Sequence, residues 1–72
     1  MSQHPCILCG ATADRRDPDA DRQLYEYDCP DCGQYATGHA GTLFWPMALA
    51  SDRQVQIVAI KKTNAAGRRP VI

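Results

Sequence analysis

Cys6-Ile7-Leu8-Cys9-Gly10 and Cys29-Pro30-Asp31-Cys32-Gly33 decide the fold, because these two stretches hold all four cysteines of the chain. In a Cys-x-x-Cys-Gly turn both sulfurs point to the same side, and the glycine allows the backbone to fold tightly beneath them. Nineteen residues separate the two pairs, within the about 15–20 residues typical of a zinc site. The pattern therefore predicts four ligands for one structural Zn²⁺, which prefers a tetrahedron: Cys6, Cys9, Cys29 and Cys32.

The length of the chain supports a metal site. A chain of 72 residues hides only about 60% of its unfolded surface on folding, so apolar burial barely offsets conformational entropy. Zinc binding contributes on the order of 10–16 kcal/mol in small finger peptides and would supply the missing stabilisation. Two disulfides are the alternative. The polar start of the chain does not match a signal peptide, so we expect a cytoplasmic protein, where thiolates bind metal rather than oxidise.

The predicted fold class is a small metal-stapled α+β fold. Short antiparallel strands around the two cysteine turns are followed by one or two helices. We expect a single domain in three parts: a four-cysteine ribbon at 5–38, a helical segment at 39–66 with a break near Pro46, and a basic tail at 67–72. No stretch approaches the about 20 apolar residues that cross a bilayer, so we expect no membrane contact.

Alternating residues before the second cysteine turn predict a strand. Residues 23–28 alternate so that Tyr25 and Tyr27 share the face that leads to the cysteines. Residues 11–13 and 34–38 are long enough for two more short strands. The tyrosines are expected to form a miniature core, with a base-stacking surface as the alternative.

Two polar segments are expected to lie in solvent. Residues 1–5 predict a short polar lead, with His4 solvated rather than a fifth ligand. Residues 14–22 contain four Asp, three Arg and one Pro, which cannot bury a face and predict a solvated hairpin loop. A calcium loop would need Gly and Glu where the chain has Arg22 and Asp28, which excludes it.

Residues 42–50 form the most apolar segment of the chain. We expect a short helix that Thr37 caps and that ends near Trp45, because Pro46 cannot continue it. Several large apolar side chains here either pack on the ribbon or form a protein-binding patch: Phe44, Trp45, Met47 and Leu49.

Residues 51–66 carry helix signals at both ends. Ser51 and Gln54 match a capping box, and a basic pair followed by Asn64 and Gly67 matches a helix end. We therefore expect one helix whose apolar stripe is Val55, Val58 and Ala59, with Ile57 and Ile60 flanking it.

Charge is unevenly distributed along the chain. Residues 1–42 carry three Arg against seven acids, whereas residues 43–72 carry five basic residues against one acid. This asymmetry indicates either a basic partner-binding end or two halves that attract each other. The basic residues could contact nucleic-acid phosphates, although the acidic ribbon would repel the same backbone: Arg53, Lys61, Lys62, Arg68 and Arg69.

The two cysteine turns, with Gln34-Tyr35 after the second, resemble the zinc-ribbon family, which shares its turn geometry with rubredoxins. The resemblance covers residues 5–37, and the second turn is similar to ribbons at the front of many uncharacterised bacterial proteins. It implies that the chain carries zinc, without implying a specific activity. Rubredoxins have a longer insert and an aromatic cluster near the first pair, both absent here, so iron is the minor alternative.

Four cysteines would fill the coordination of the metal, whereas catalytic zinc needs an open position. No convincing catalytic grouping is present, and His39 is expected to begin a helix rather than to act as a base. We therefore expect a non-catalytic adaptor with a protein partner or a second copy of itself, and no small-molecule substrate. The alternatives are a nucleic-acid-binding ribbon and a rubredoxin-like iron electron carrier.

Overall fold

The computed structural model describes residues 2–20 and 22–72. Predictions made for Met1 and Asp21 lie outside the described residues. The chain forms a small α+β fold with one antiparallel sheet in the order β1-β2-β3-β4. The strands are Ser2–Pro5 (β1), Thr12–Arg16 (β2), Tyr25–Cys29 (β3) and Gly33–Thr37 (β4).

Two helices follow the sheet. Helix α1 spans His39–Phe44 and helix α2 spans Ala50–Ala65, with a short 3₁₀ turn at Trp45–Met47 between them. Pro46 lies in the first turn of the 3₁₀ segment, where its missing N–H costs least. Neither of these helices is long and apolar enough to cross a membrane.

Each cysteine turn joins two neighbouring strands. The first connects β1 to β2 and the second connects β3 to β4, with Cys29 directly opposite Gly33 in the register. Gly10 and Gly33 adopt φ values of 79° and 104°, a region that side chains with a Cβ rarely enter. A Cβ on Gly33 would also collide with the side-chain oxygen of Asn64. These two glycines therefore allow the tight turns that the sequence predicts.

The prediction for residues 1–5 is wrong for its described part, because Ser2–Pro5 forms the edge strand β1. It pairs antiparallel with β2 from Ser2 opposite Arg15 to Pro5 opposite Thr12. The side chains of β1 are polar and provide no signal of burial. The strand forms because the first cysteine turn reverses the chain and returns it beside these residues.

The predicted loop at 14–22 is also partly wrong, and the strand expected at 11–13 is longer than predicted. Asp14, Arg15 and Arg16 belong to β2 and pair with β3 on the other side. Their backbone groups are bonded within the sheet, whereas their charged side chains reach its surface. Of the described residues in this range, those after Arg16 lie outside the strand, as predicted.

The core lies on one face of the sheet. Tyr27 and Tyr35 are opposite each other in β3 and β4, and their rings stack with centroids 5.0 Å apart at an angle of 10°. Ile57 and Ile60 of α2 pack into the same core as these rings. The prediction that the tyrosines build a miniature core is confirmed for this fully buried pair.

Helix α2 differs from its prediction in its start and in its buried face. The residue that caps it is Leu49, without a side-chain hydrogen bond, so Ser51 does not form the predicted cap. Ile57 and Ile60 are buried, whereas Val55 and Val58 are 71% and 45% exposed. The predicted stripe is therefore wrong, because contact with β4 rotates the two isoleucines inward.

The end of the chain packs beside β4. Ala36 donates its N–H to the carbonyl of Pro70 at 2.8 Å and accepts the N–H of Ile72 at 2.8 Å. The hydroxyl of Thr37 donates to the carbonyl of Ile72 at 3.0 Å. Thr37 is therefore a buried anchor for these residues rather than the predicted cap of α1, whose capping position is Gly38.

Candidate metal centre

Four sulfur atoms meet at the end of the sheet where both cysteine turns lie. The Sγ atoms of Cys6, Cys9, Cys29 and Cys32 all lie within 4.8 Å of one another. The Sγ atoms of Cys6 and Cys32 are 3.7 Å apart, and those of Cys9 and Cys29 are 3.5 Å apart. A tetrahedral ion with Zn–S bonds of about 2.3 Å would hold its sulfurs about 3.8 Å apart. The cluster therefore fits a metal ion of this kind.

The four cysteines are free thiols. The sulfurs of Cys6 and Cys32 are 3.7 Å apart and those of Cys9 and Cys29 are 3.5 Å apart, distances far longer than the about 2.05 Å of a disulfide bond. The arrangement brings the two turns to opposite sides of a shared centre. The structure therefore favours the metal-site prediction over the disulfide alternative.

The first turn is packed more fully than the sequence indicates. Ile7 and Leu8, the two residues between the cysteines of this turn, are both buried in the core. The N–H of Gly10 donates to the carbonyl of Cys6 at 2.9 Å, and the N–H of Cys6 donates to the carbonyl of Ala11 at 2.7 Å. These bonds fix the turn, so its two sulfurs are held in place by the backbone.

Tyr35 contacts the cluster directly. Its hydroxyl lies 3.1 Å from the Sγ of Cys6, which also accepts the N–H of Leu8 at 3.5 Å. Tyr35 is completely buried, and its ring is held against Tyr27. Sequence reasoning missed this role, although Tyr35 lies two residues after Gly33 and thus on the same face of β4.

The electrostatics of the cluster favour a bound cation. Burial raises the pKa of Cys6, but the hydrogen bond from Tyr35 and those from backbone amides lower it, and the net pKa is below the ordinary value. Burial raises the pKa of Cys29 to about 11. Burial and the neighbouring sulfurs raise the pKa of Cys32 far above its ordinary value. Such thiols ionise together only when a nearby positive charge compensates them.

The Tyr35 hydroxyl acts as a donor toward this cluster. Burial, followed by the hydrogen bond to Cys6, raises the pKa of Tyr35 far above its ordinary value. The hydroxyl therefore keeps its proton and is able to donate it in a hydrogen bond to the sulfur of Cys6, 3.1 Å away, when that sulfur is a thiolate. A phenol that donates to a metal-bound thiolate is the type of outer contact that orients ligands in metal sites.

Access to the cluster is uneven. Cys6, Cys29 and Cys32 are buried, whereas Cys9 is exposed. His4, considered in the sequence as a fifth ligand, lies in β1 and shares a hydrogen bond of 3.0 Å with the hydroxyl of Ser2. In the part of the chain that the structure describes, the group that could hold a metal consists of the four cysteines and does not include His4.

The predicted protein-binding residues separate into two groups. Trp45 is half-buried and packs against the core, with its ring perpendicular to that of Phe44 at 5.0 Å. Phe44, Met47 and Leu49 are 59%, 87% and 70% exposed. Leu43, which the prediction omitted, is equally exposed. We call Leu43, Phe44, Met47 and Leu49 the apolar segment.

The five predicted basic residues differ in exposure. Lys61, Lys62 and Arg68 are exposed near the end of α2. Arg69 is engaged within the fold, because its guanidinium donates to the carbonyl of Tyr27 at 3.3 Å and pairs with Asp28 at 3.4 Å. Arg53, at the other end of α2, is half-buried.

Comparison with known proteins finds no relative: the chain matches no protein-family model, no curated protein and no solved structure. The sulfur cluster on a small antiparallel sheet is thus the feature from which its function must be argued.

Proposed function

We propose that the protein is a non-catalytic interaction module whose fold is held by one Zn²⁺ bound to Cys6, Cys9, Cys29 and Cys32. The observation that carries this proposal is the meeting of four sulfurs within 4.8 Å of one another, with cross-turn separations of 3.5 and 3.7 Å that match those of a tetrahedral zinc site. Four sulfurs close the coordination of zinc and leave no position for a water or a substrate. The metal would therefore stabilise the fold and perform no reaction.

The identity of the metal is tested by elemental analysis and an absorption spectrum of the protein purified from its native host. We expect a colourless protein with one zinc per chain, because four thiolates suit this ion. A red protein that contains one iron per chain would contradict the zinc proposal and support the electron-carrier alternative.

The interaction role is supported by the apolar segment. Its four large side chains are exposed on a stretch, residues 38–51, that contains no Asp, Glu, Lys or Arg. The core of this chain is already covered by α2 and Trp45, so the segment is not needed to close it. An uncharged, exposed apolar surface fits a partner protein that presents an apolar surface of its own.

The double variant Phe44→Ser with Met47→Ser tests this role. We expect it to lose the partner, or the second copy, that the wild-type protein binds in affinity capture and analytical ultracentrifugation. Val55→Ser is the matched control, because Val55 is 71% exposed on α2 and lies outside the segment. Equal binding by wild type and the double variant would contradict the proposal.

Nucleic-acid binding is the second candidate, and the exposure of Lys61, Lys62 and Arg68 favours it. Phosphate contacts weaken steeply as salt increases. If this candidate is correct, Lys61→Gln with Lys62→Gln weakens binding to DNA or RNA and reduces its salt dependence. Binding that is absent at low salt contradicts it.

A further inference from the structure

One cysteine of the cluster is exposed to solvent, and its sulfur lies close to a sulfur across the site. Cys9 is exposed, whereas the other three cysteines are buried. The Sγ of Cys29 in the second turn lies 3.5 Å from the Sγ of Cys9. Oxidation of cysteine follows thiolate character and exposure. A metal-bound thiol is a thiolate, so both conditions hold at Cys9.

We propose that the metal centre is a redox-sensitive device in which a peroxide oxidises Cys9 first and a Cys9–Cys29 disulfide then releases the metal. This inference rests on the proposed zinc site and goes beyond it, since a structural ion alone implies no response to oxidants. The oxidant is a peroxide, with hydrogen peroxide as the probe.

The first step takes place at the exposed sulfur. The thiolate of Cys9 attacks one oxygen of hydrogen peroxide, an S–O bond forms, the O–O bond breaks and hydroxide leaves. Cys9 is then a sulfenic acid, which condenses readily with a nearby thiol. The buried cysteines are protected at this step because solvent reaches them poorly.

The second step links the two turns. The thiolate of Cys29 attacks the sulfur of Cys9, an S–S bond forms, the S–O bond breaks and a second hydroxide leaves. The two sulfurs together lose two electrons, which reduce the peroxide to two hydroxide ions. Cys6 and Cys32 are then the only free sulfurs of the cluster, and two ligands do not make the closed site that structural zinc requires.

The experiment starts with protein shown by elemental analysis to hold one zinc per chain. Hydrogen peroxide is added below one equivalent, and released zinc is followed with a chromogenic chelator. Remaining thiols are alkylated, and the disulfide is located by digestion and fragmentation mass spectrometry. We expect one zinc released for each peroxide consumed, with Cys9–Cys29 as the main disulfide. A main disulfide without Cys9 overturns the proposal.

Two variants give a matched comparison, because a site of three cysteines and one histidine still binds structural zinc. Cys9→His removes the exposed sulfur, and we expect zinc release on the order of tenfold slower than in wild type. Val55→Ser changes an exposed residue of α2 outside the metal site and should release zinc at the wild-type rate. Equal sensitivity of Cys9→His and wild type overturns the proposal.

A measurement on the wild-type protein keeps the test independent of how the variants fold. Zinc-loaded protein is treated with less than one equivalent of iodoacetamide, and each cysteine is quantified by mass spectrometry. We expect Cys9 to be labelled first, and even labelling of the four cysteines overturns the proposal. Protein that binds no zinc refutes both the metal site and this inference. Zinc-loaded protein without preferential reaction at Cys9 refutes the redox inference alone.

Discussion

At the scale of single residues, Tyr35 connects the core to the sulfur cluster. Its ring stacks on Tyr27 in the core, and its hydroxyl lies 3.1 Å from the sulfur of Cys6. The same side chain thus fills the interior and orients a ligand. A residue with both roles explains how so small a core can hold a metal site in a defined shape.

Tyr35→Phe removes the hydroxyl and retains the ring. We expect zinc affinity to fall by about 10–100-fold, which is typical when an outer contact to a metal ligand is lost. Competition with a chromogenic chelator measures this change. Tyr27→Phe is the control and should leave affinity nearly unchanged, because the hydroxyl of Tyr27 accepts a hydrogen bond from Arg15 rather than contacting a sulfur. Equal affinity of Tyr35→Phe and wild type would contradict the role assigned to Tyr35.

At the scale of elements, Asn64 joins α2 to β4. Its amide donates to the carbonyls of Gln34 and Arg68 at 2.8 and 2.9 Å, and its oxygen accepts the N–H of Gln34 at 2.6 Å. The sequence identified Asn64 as a helix-end signal only. Its contacts set the rotation of the helix, which brings Ile60, four residues earlier, onto the sheet.

Asn64→Ala removes all three of these hydrogen bonds. We expect the free energy of unfolding of the zinc-loaded protein to fall by about 2–4 kcal/mol, at about 0.5–1.5 kcal/mol for each bond. Urea denaturation measures the change. Thr63→Ala is the control, because its hydroxyl bonds only to Ala59 within the helix, and it should change stability little. If Asn64→Ala lowers the free energy of unfolding as little as the control does, Asn64 does not hold α2 against β4.

The buried face of α2 gives a second prediction at this scale. Ile60 is completely buried, whereas Val55 is 71% exposed. Ile60→Ala should therefore lower the free energy of unfolding by about 2–5 kcal/mol, since it opens a cavity. Val55→Ala should change it by less than about 0.5 kcal/mol. Urea denaturation of both variants measures the two losses. If the stripe predicted from the sequence faced the core, Val55→Ala would lower the free energy of unfolding more than Ile60→Ala.

The elements that the sequence predicted well are those specified by local chemistry. The cysteine turns follow from glycines and spacing, β3 follows from alternating side chains, and the interruption at Pro46 follows from its missing N–H. Strand β1 could not be predicted, because its polar residues are ordered by pairing with β2. The inward face of α2 and the burial of Thr37 also depend on contacts between distant residues, which no local pattern contains.

At the scale of the whole molecule, attraction between the acidic and basic halves contributes little. Among the described residues, Arg69 and Asp28 form the one ion pair that links them, at 3.4 Å, and both side chains are about one-third exposed. Such a pair is worth about 0–1 kcal/mol. The other pairs, Arg15 with Asp17 and Arg22 with Asp19 and Glu26, are local. The charge asymmetry therefore does not supply the stability that so small a core lacks.

Removal of the metal should consequently unfold most of the chain. Without it, the sulfur cluster is a group of buried thiols between two turns, and the remaining core consists of a few residues around Tyr27 and Tyr35. In small metal-bound domains, the free energy of metal binding is the free energy of folding. Cys29→Ser removes one ligand, and chelation by excess EDTA removes the ion from the wild-type protein.

Circular dichroism measures both changes, and we expect each to abolish most of the helical signal of α2. Val58→Ser is the matched control, because Val58 is exposed on α2 and its replacement should leave the spectrum unchanged. Addition of zinc should restore the chelated protein but not Cys29→Ser. A Cys29→Ser spectrum equal to that of wild type would mean that packing alone holds the fold. The interior of this chain would then be more stable than its size implies.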